Sequence, residues 1–252
     1  MAKTDFIDEI DLKDELVNFI RWTVFSLDDK NRETRTTQTF DATSSQTDFP
    51  LTYGTRLRFV ESVTLNGVPI LFGDDYDFTF PGSNRTNTGK IILNVASTLH
   101  DAIVVIYGYA NQYNVNGVAR NKDAMVYPDF PRSDLSISKY PRIGLGIGLP
   151  RQPGGLSGGT QNVVKTNIRV SVIILMENTF LLDTFSKTLN KAFMEYAKKF
   201  YNFRYIIPEN TTNITLSEDV TSDVLARNID LIIPDRYEFI TYAWGIKNEK
   251  NI

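Results

Sequence analysis

Few residues in this chain are of a type that does chemistry, and their spacing limits what they can do. Asp74, Asp75 and Asp77 offer carboxylate oxygens of the kind a calcium ion takes. The spacing of a calcium-binding loop is missing, so they read as solvated turn acids. His100 is the only histidine, which rules out a histidine metal cage within one chain and leaves any Ser/His/Asp nucleophile dependent on this residue. It precedes Asp101 in a turn and reads as exposed. Gly144, Gly146 and Gly148 resemble a dinucleotide-binding loop only in part. The third glycine is misplaced, and Pro150 and Pro153 stand where the phosphate-binding helix would begin. Lys187, Lys191, Lys198 and Lys199 could meet nucleic acid, but Asp183 and Glu195 are interleaved with them, which reads as a solvated helix face. The chain has no cysteine, so thiolate nucleophiles, disulfides and cysteine-bound zinc are excluded. No convergent acid, base and nucleophile is visible. The expectation is a protein that is not an enzyme, with no catalytic, cofactor-binding or metal residues and no cofactor.

The elements that position these residues are read from composition and period. A chain of 252 residues, 42% hydrophobic and 23% charged, is long enough for one or two domains with a real core. A net charge of -3 gives no overall basic field. No run approaches the length of a membrane span, and Met1 to Asp11 is acidic without a signal-peptide pattern. This predicts a protein that stays inside the cell that makes it and does not touch a membrane.

The stretch from Thr160 to Tyr205 predicts a strand, a helix and a second strand. In Ile168 to Leu175, positions 168, 170, 172 and 174 share one face, and the other face begins polar and ends apolar. Leu181, Leu182, Phe185, Leu189, Phe193, Tyr196 and Phe200 then form a helical stripe that Asn178 or Thr179 can cap. Asp183 with Lys187, and Lys191 with Glu195, are pairs four apart on its solvated side. An earlier helix is expected from Asp11 to Leu27. Asn111 to Tyr140 reads as polar and irregular, Tyr140 to Ile147 as a strand carrying glycines, Pro150 to Thr160 as a loop, and Pro208 to Ser222 as a linker. Two last strands are expected, Val224 to Ile233 and Tyr237 to Tyr242.

Between Arg35 and Ala110 the period is strand-like, and Asn66-Gly67 between apolar residues is a hairpin signal. Six or so short strands suggest a sandwich or barrel. The series Phe40-Asp41-Ala42-Thr43, Gln46-Thr47-Asp48-Phe49, Val63-Thr64-Leu65-Asn66-Gly67, Asp75-Tyr76, Gly89-Lys90-Ile91-Ile92-Leu93 and Asp101-Ala102-Ile103-Val104-Val105-Ile106 resembles the small β module of tailed-bacteriophage virion proteins. That resemblance implies structural or adhesive display.

The outer segments resemble the tail-terminator and tail-completion proteins of long-tailed phages, with the lambda-like terminator fold. The residues carrying the likeness are Tyr140 to Ile147, Ile168 to Met176 with the helix through Phe200, and the strands Val224 to Ile233 and Tyr237 to Tyr242. The long β module and the Pro/Gly loop are departures from the pattern. The expected fold is α+β, helices packed on a mixed or antiparallel sheet, with an inserted all-β sandwich-like domain. Residues 1–34 and 111–252 would form the ring-building part and 35–110 the insertion. The resemblance implies a homo-oligomeric, hexameric ring at the head-tail neck of a virion, assembled in the host cytoplasm. It would contact the tail tube protein, a head-side connector or neck protein and the tail sheath, with DNA only as passing cargo. The alternative is a baseplate or fibre-associated binding protein whose β module attaches to a receptor or another virion protein. Aromatics beyond the needs of one core can serve an interface, so Tyr196, Tyr201, Phe203 and Tyr205 are candidates, with Arg151 and Leu156 of the Pro/Gly loop.

Overall fold

The computed structural model describes residues 9–81, 88–129, 140–148, 154–157, 162–200, 206–214 and 224–239. They form a mixed α+β fold dominated by strands. The first helix, α1 (Glu9–Val24), is prolonged by a 3-10 turn, Phe25–Leu27. Asp28 stops the helical run: its carboxylate accepts from the backbone N–H of Lys30 and of Arg32, an Asx-type turn that turns the chain into the first strand.

That strand, β1 (Glu33–Asp41), pairs along its whole length with β7 (Ala102–Ala110), from Glu33 opposite Ala110 to Asp41 opposite Ala102. On the other side of β7 lies β3 (Leu57–Leu65), and β4 (Val68–Ile70) folds back on β3 through Asn66-Gly67. Both turn residues have positive φ, 51° and 80°, as the hairpin signal requires. A second, three-stranded sheet has the order β2 (Asp48–Pro50), β6 (Lys90–Leu93), β5 (Tyr76–Thr79). Alternation along β7 turns Ile103, Val105 and Tyr107 inward, where they share one apolar cluster with Val63, Phe49, Tyr76, Ile91 and Leu93 of both sheets. Gly108 is fixed by packing: a Cβ there would lie 2.2 Å from Cε1 of the buried Phe59 ring.

Residues 130–139 lie outside the described residues, and the first part of the polar stretch after Ala110 is regular. It forms a two-stranded hairpin, β8 (Gln112–Val115) and β9 (Val118–Asn121), turned by Asn116-Gly117, and then a short strand, β10 (Val126–Tyr127). The signal was present: Val115-Asn116-Gly117-Val118 has the same form as the Asn66-Gly67 hairpin.

The largest sheet runs β10, β11 (Arg142–Gly148), β13 (Asn162–Met176), β15 (Leu225–Phe239), β14 (Ile207–Ile214), with β12 (Gly154–Ser157) added to β13. The β10–β11 pair is parallel and the others are antiparallel, so the sheet is mixed. Three expectations are corrected here. Part of the Pro/Gly loop is strand β12. Part of the expected linker is the edge strand β14, whose Asn/Thr-rich, exposed residues hid it. The two final strands are one as far as Phe239, because β15 stays paired with β13 through Pro234, opposite Asn167, past the end of its pairing with β14 at Ile232; residues 240–242 lie outside the described residues.

One face of this sheet is covered by the two helices. Ile143 and Leu145, then Ile168, Val170, Val172, Ile174 and Met176, then Ile229, Leu231 and Ile233 meet Leu12, Leu16, Phe19 and Ile20 of α1. The second helix, α2 (Thr179–Glu195), adds Leu182, Phe185, Leu189 and Phe193. Burying each such side chain fully is worth about 1.5–3 kcal/mol. The far face of β13 is polar at Arg169 and Ser171 and apolar at Ile173 and Leu175, which join a small cluster with Tyr140, Val224 and Ala226. Among the described residues no helix is long and apolar enough to cross a membrane.

Candidate functional site

Three regions carry the chain's distinctive side chains: the helix C-terminus, the junction between α1 and the strand-rich segment, and the loop end of that segment.

Helix α2 begins as the sequence indicates. Asn178 caps it, its side-chain oxygen accepting from the N–H of Phe180 at 2.8 Å and of Leu181 at 3.4 Å. At its other end Tyr196 packs edge-on to Trp22, with ring centroids 5.3 Å apart, and to Phe19 at 5.7 Å. Phe19 also meets Phe193 and Phe200, so these aromatics close the contact between the two helices. The Tyr196 ring is thus engaged within the chain, and the Lys199 ammonium lies 4.9 Å from its centroid. Tyr201, Phe203, Tyr205 and Arg151 lie outside the described residues. Leu156 falls in β12, of which only the backbone is described. On the outer face Lys191 pairs with Glu195 at 3.5 Å as expected, but Asp183 bonds Arg227 of β15 at 2.6 Å rather than Lys187. The sheet draws that carboxylate inward.

The junction is built from irregularities in β3. Its pairing with β7 shifts register between Leu57 and Phe59 and again between Val60 and Ser62, and such bulges leave backbone groups without ladder partners. Side chains of α1 supply them. Asn18 donates to the Val60 carbonyl at 3.1 Å and accepts from the Val60 N–H at 2.8 Å. Arg21 donates to the Arg58 carbonyl at 3.0 Å and, through two nitrogens, to the Val126 carbonyl at 3.3 and 2.8 Å. Arg58 donates to the Lys122 carbonyl and lies 4.0 Å from Glu33. Burial, reinforced by the neighbouring Arg58, pulls the Arg21 guanidinium down to about 10. Burial pushes the Glu33 carboxyl above its ordinary value of 4.5, against the pull of Arg21 and Arg58. Beside them Arg32 bonds Asp28 at 3.0 Å and the Tyr140 carbonyl at 3.1 Å, and Lys30 reaches the same carbonyl. Sequence reasoning missed this cluster because its members are far apart in the chain and no helical or strand period marks them. The available signal was polar Asn18 and Arg21, one turn apart, flanking the apolar stripe of α1.

Arg142 is only 2% exposed. Its guanidinium faces the rings of Tyr127 and Tyr140, 5.9 and 5.8 Å from their centroids, and its Nε has no hydrogen-bond partner. Gly144, Gly146 and Gly148 follow it inside β11, so the glycine pattern lies on a strand rather than at a helix start.

At the loop end, His100 sits beside Asp41 at 3.2 Å, both exposed, as the turn reading expected. Asp75 accepts from the Leu71 N–H within its turn, whereas Asp77 lies in β5 and accepts from the N–H of the next residue, Phe78. Among the described residues no group of three or more His, Cys, Asp or Glu side chains is placed to hold a metal ion. Asn66 ties the hairpin turn to the next loop, donating to Asp101 and accepting from the Ala102 N–H, each at 2.8 Å. The Asn66 amide, with bonds from Thr98, holds the Asp101 carboxyl below its ordinary value.

Comparison with protein-family models, with curated proteins and with solved structures finds no match.

Proposed function

We propose that this chain is a structural protein of a tailed-phage virion, forming a ring at the head-tail neck that ends the tail tube and joins it to the head connector. The observation that supports this reading best is the length mismatch in the largest sheet. Strands β13 and β15 pair over fifteen residues each, but β11 reaches only Arg169 to Leu175 and β14 only Ala226 to Ile232. The remaining seven pairs at one end, Asn162 to Ile168 with Ile233 to Phe239, run on with only the short β12 beside them as a ribbon of roughly 24 Å at about 3.4 Å per residue. A helix-backed sheet that continues as a ribbon gives a subunit a means to reach its neighbour. The strand-rich segment 35–110, read as a sandwich-like insertion, fits the outside of such a ring, because its two sheets share a cluster separate from the helix-sheet core.

The mechanism of such a protein is geometric. One surface would meet the tail tube protein and a different one the head-side connector, with the sheath as a further contact and DNA passing through. Tyr201, Phe203, Tyr205, Arg151 and Leu156 are the proposed interface residues. Negative-stain imaging of the protein mixed with purified tail tubes tests this. Rings bound at one end of the tubes are expected; tubes left bare at both ends would contradict the reading.

The alternative, a baseplate or fibre-associated binding protein, draws on the exposed apolar residues Val68, Leu71, Val95 and Leu99 at the loop end. A trimer that binds host cells would favour it.

A further inference from the structure

The β8–β9 hairpin is the described element with the least support. All eight of its strand residues are exposed, and an isolated two-stranded hairpin is at best marginal in water. It is nevertheless not polar throughout. Tyr113 lies opposite Arg120 and Val115 opposite Val118, and cross-strand partners share a face. One face therefore carries Tyr113, Val115, Val118 and Arg120, and the other Gln112, Asn114, Ala119 and Asn121. The three apolar residues are 37% to 58% exposed. The base is held firmly. The Asn111 side chain donates to Asn31, its backbone N–H donates to the Arg32 carbonyl, and the Lys122 ammonium donates to the carbonyls of Lys30 and Asn31. The hairpin is thus a fixed arm with an uncovered apolar face.

A complementary surface lies at the opposite end of the same strands. The nine-residue pairing of β1 with β7 puts Glu33 and Ala110 beside the hairpin base and Asp41 and Ala102 at the far end. There the loops converge, joined by bonds from Asn66 to Asp101, from the His100 N–H to the Ala42 carbonyl and from Asn94 to the carbonyls of Gly73 and Asp74. Val68, Leu71, Val95 and Leu99 are 60% to 78% exposed at this end. The loops 41–47, 66–75 and 94–101 contain Asp41, Asp74, Asp75 and Asp101 and no lysine or arginine. The hairpin and its base, 111–122, contain Arg120 and Lys122 and no acid. Two different surfaces, each apolar, opposite in charge and at opposite ends of one unit, are what a head-to-tail contact between copies needs.

We propose that the apolar face of the β8–β9 hairpin seats on the loop end of a second copy of this chain, with Arg120 toward its aspartates. This rests on the reading of the chain as a self-assembling ring, and it names one contact that closes the ring. The test uses the full chain and reads its mass by light scattering across a concentration series. Val118→Asp and Arg120→Glu are each expected to raise the concentration needed for assembly by about tenfold or more, with thermal midpoints unchanged because both sites are exposed. Combining Arg120→Glu with Asp41→Lys is expected to restore assembly. Wild-type rings together with variants that assemble at the wild-type concentration would overturn this contact and leave the ring reading standing. A wild type that stays monomeric at every concentration would overturn both.

Discussion

Asn18 carries more of the fold than its type suggests. It bonds both backbone groups of Val60, at the edge of the register shift in β3. An unsatisfied buried group costs about 1–3 kcal/mol, so Asn18→Ala is expected to lower stability by about 2–4 kcal/mol in urea unfolding. A change under about 0.5 kcal/mol would mean that water replaces the side chain. Glu33 makes the junction sensitive to pH. Its carboxyl is raised in the fold, so its stabilising contribution is complete below about 4.5 and is lost as pH rises through the raised value. Glu33→Gln cannot ionise; wild type should lose stability relative to this variant as pH rises from 4, and a constant difference between the two midpoints would contradict the assignment. Arg142 is the reverse of Asn18: a buried charge set against the Tyr127 and Tyr140 rings, whose Nε has no hydrogen-bond partner among the described residues. Replacing a buried charge by an apolar side chain of similar size is often neutral or stabilising, so Arg142→Met is expected to keep or raise the thermal midpoint. A loss above about 2 kcal/mol would mean that its contacts with the tyrosine rings outweigh the cost of burying the charge. None of these roles could be read from sequence, because each depends on a backbone irregularity or a burial that residue period does not record.

At the scale of elements, legibility followed one-sided burial. The helices and β13 were readable because each presents a single apolar face to a single neighbour, and their stripes at three-and-four or two-residue spacing report that face directly. The Asn178 cap and the Asn66-Gly67 turn were readable because one residue type meets one backbone need. The hairpin β8–β9 and the edge strand β14 were not, since neither buries a continuous face and their composition is that of loops. Strand β15 was divided in two at Pro234 because a proline is harmless only where the outer edge is free, and sequence does not say which strand ends first. Gly108 gives this scale a direct test. A methyl group there meets the Phe59 ring at 2.2 Å, and that ring is itself packed on Phe25. Gly108→Ala is expected to destabilise the protein by about 1–3 kcal/mol through overpacking, and Phe59→Leu in the same chain should recover part of the loss. An unchanged midpoint for Gly108→Ala would mean that β3 and β7 separate at no cost.

At the scale of the molecule, the helix-backed sheet and the strand-rich segment each have their own apolar cluster, and a buried polar junction links them. Polar contacts of that kind fix orientation more than they add stability, because each bond replaces one to water. In the proposed ring a fixed orientation is what matters: the β8–β9 arm, the loop end and the β13–β15 ribbon can meet neighbours in register only if the two parts do not swing. The sequence pointed to the α+β class and to a strand-rich segment near 35–110, but neither the arm nor the junction that aims it left a periodic trace. The central claim is self-assembly into a closed ring, and the mass of the full chain in solution tests it most directly. Light scattering after size exclusion is expected to give a single species of about six times the 28.6 kDa of one chain, with an open centre in negative stain. A 28.6 kDa species at every concentration, or an open-ended series of masses, would contradict it.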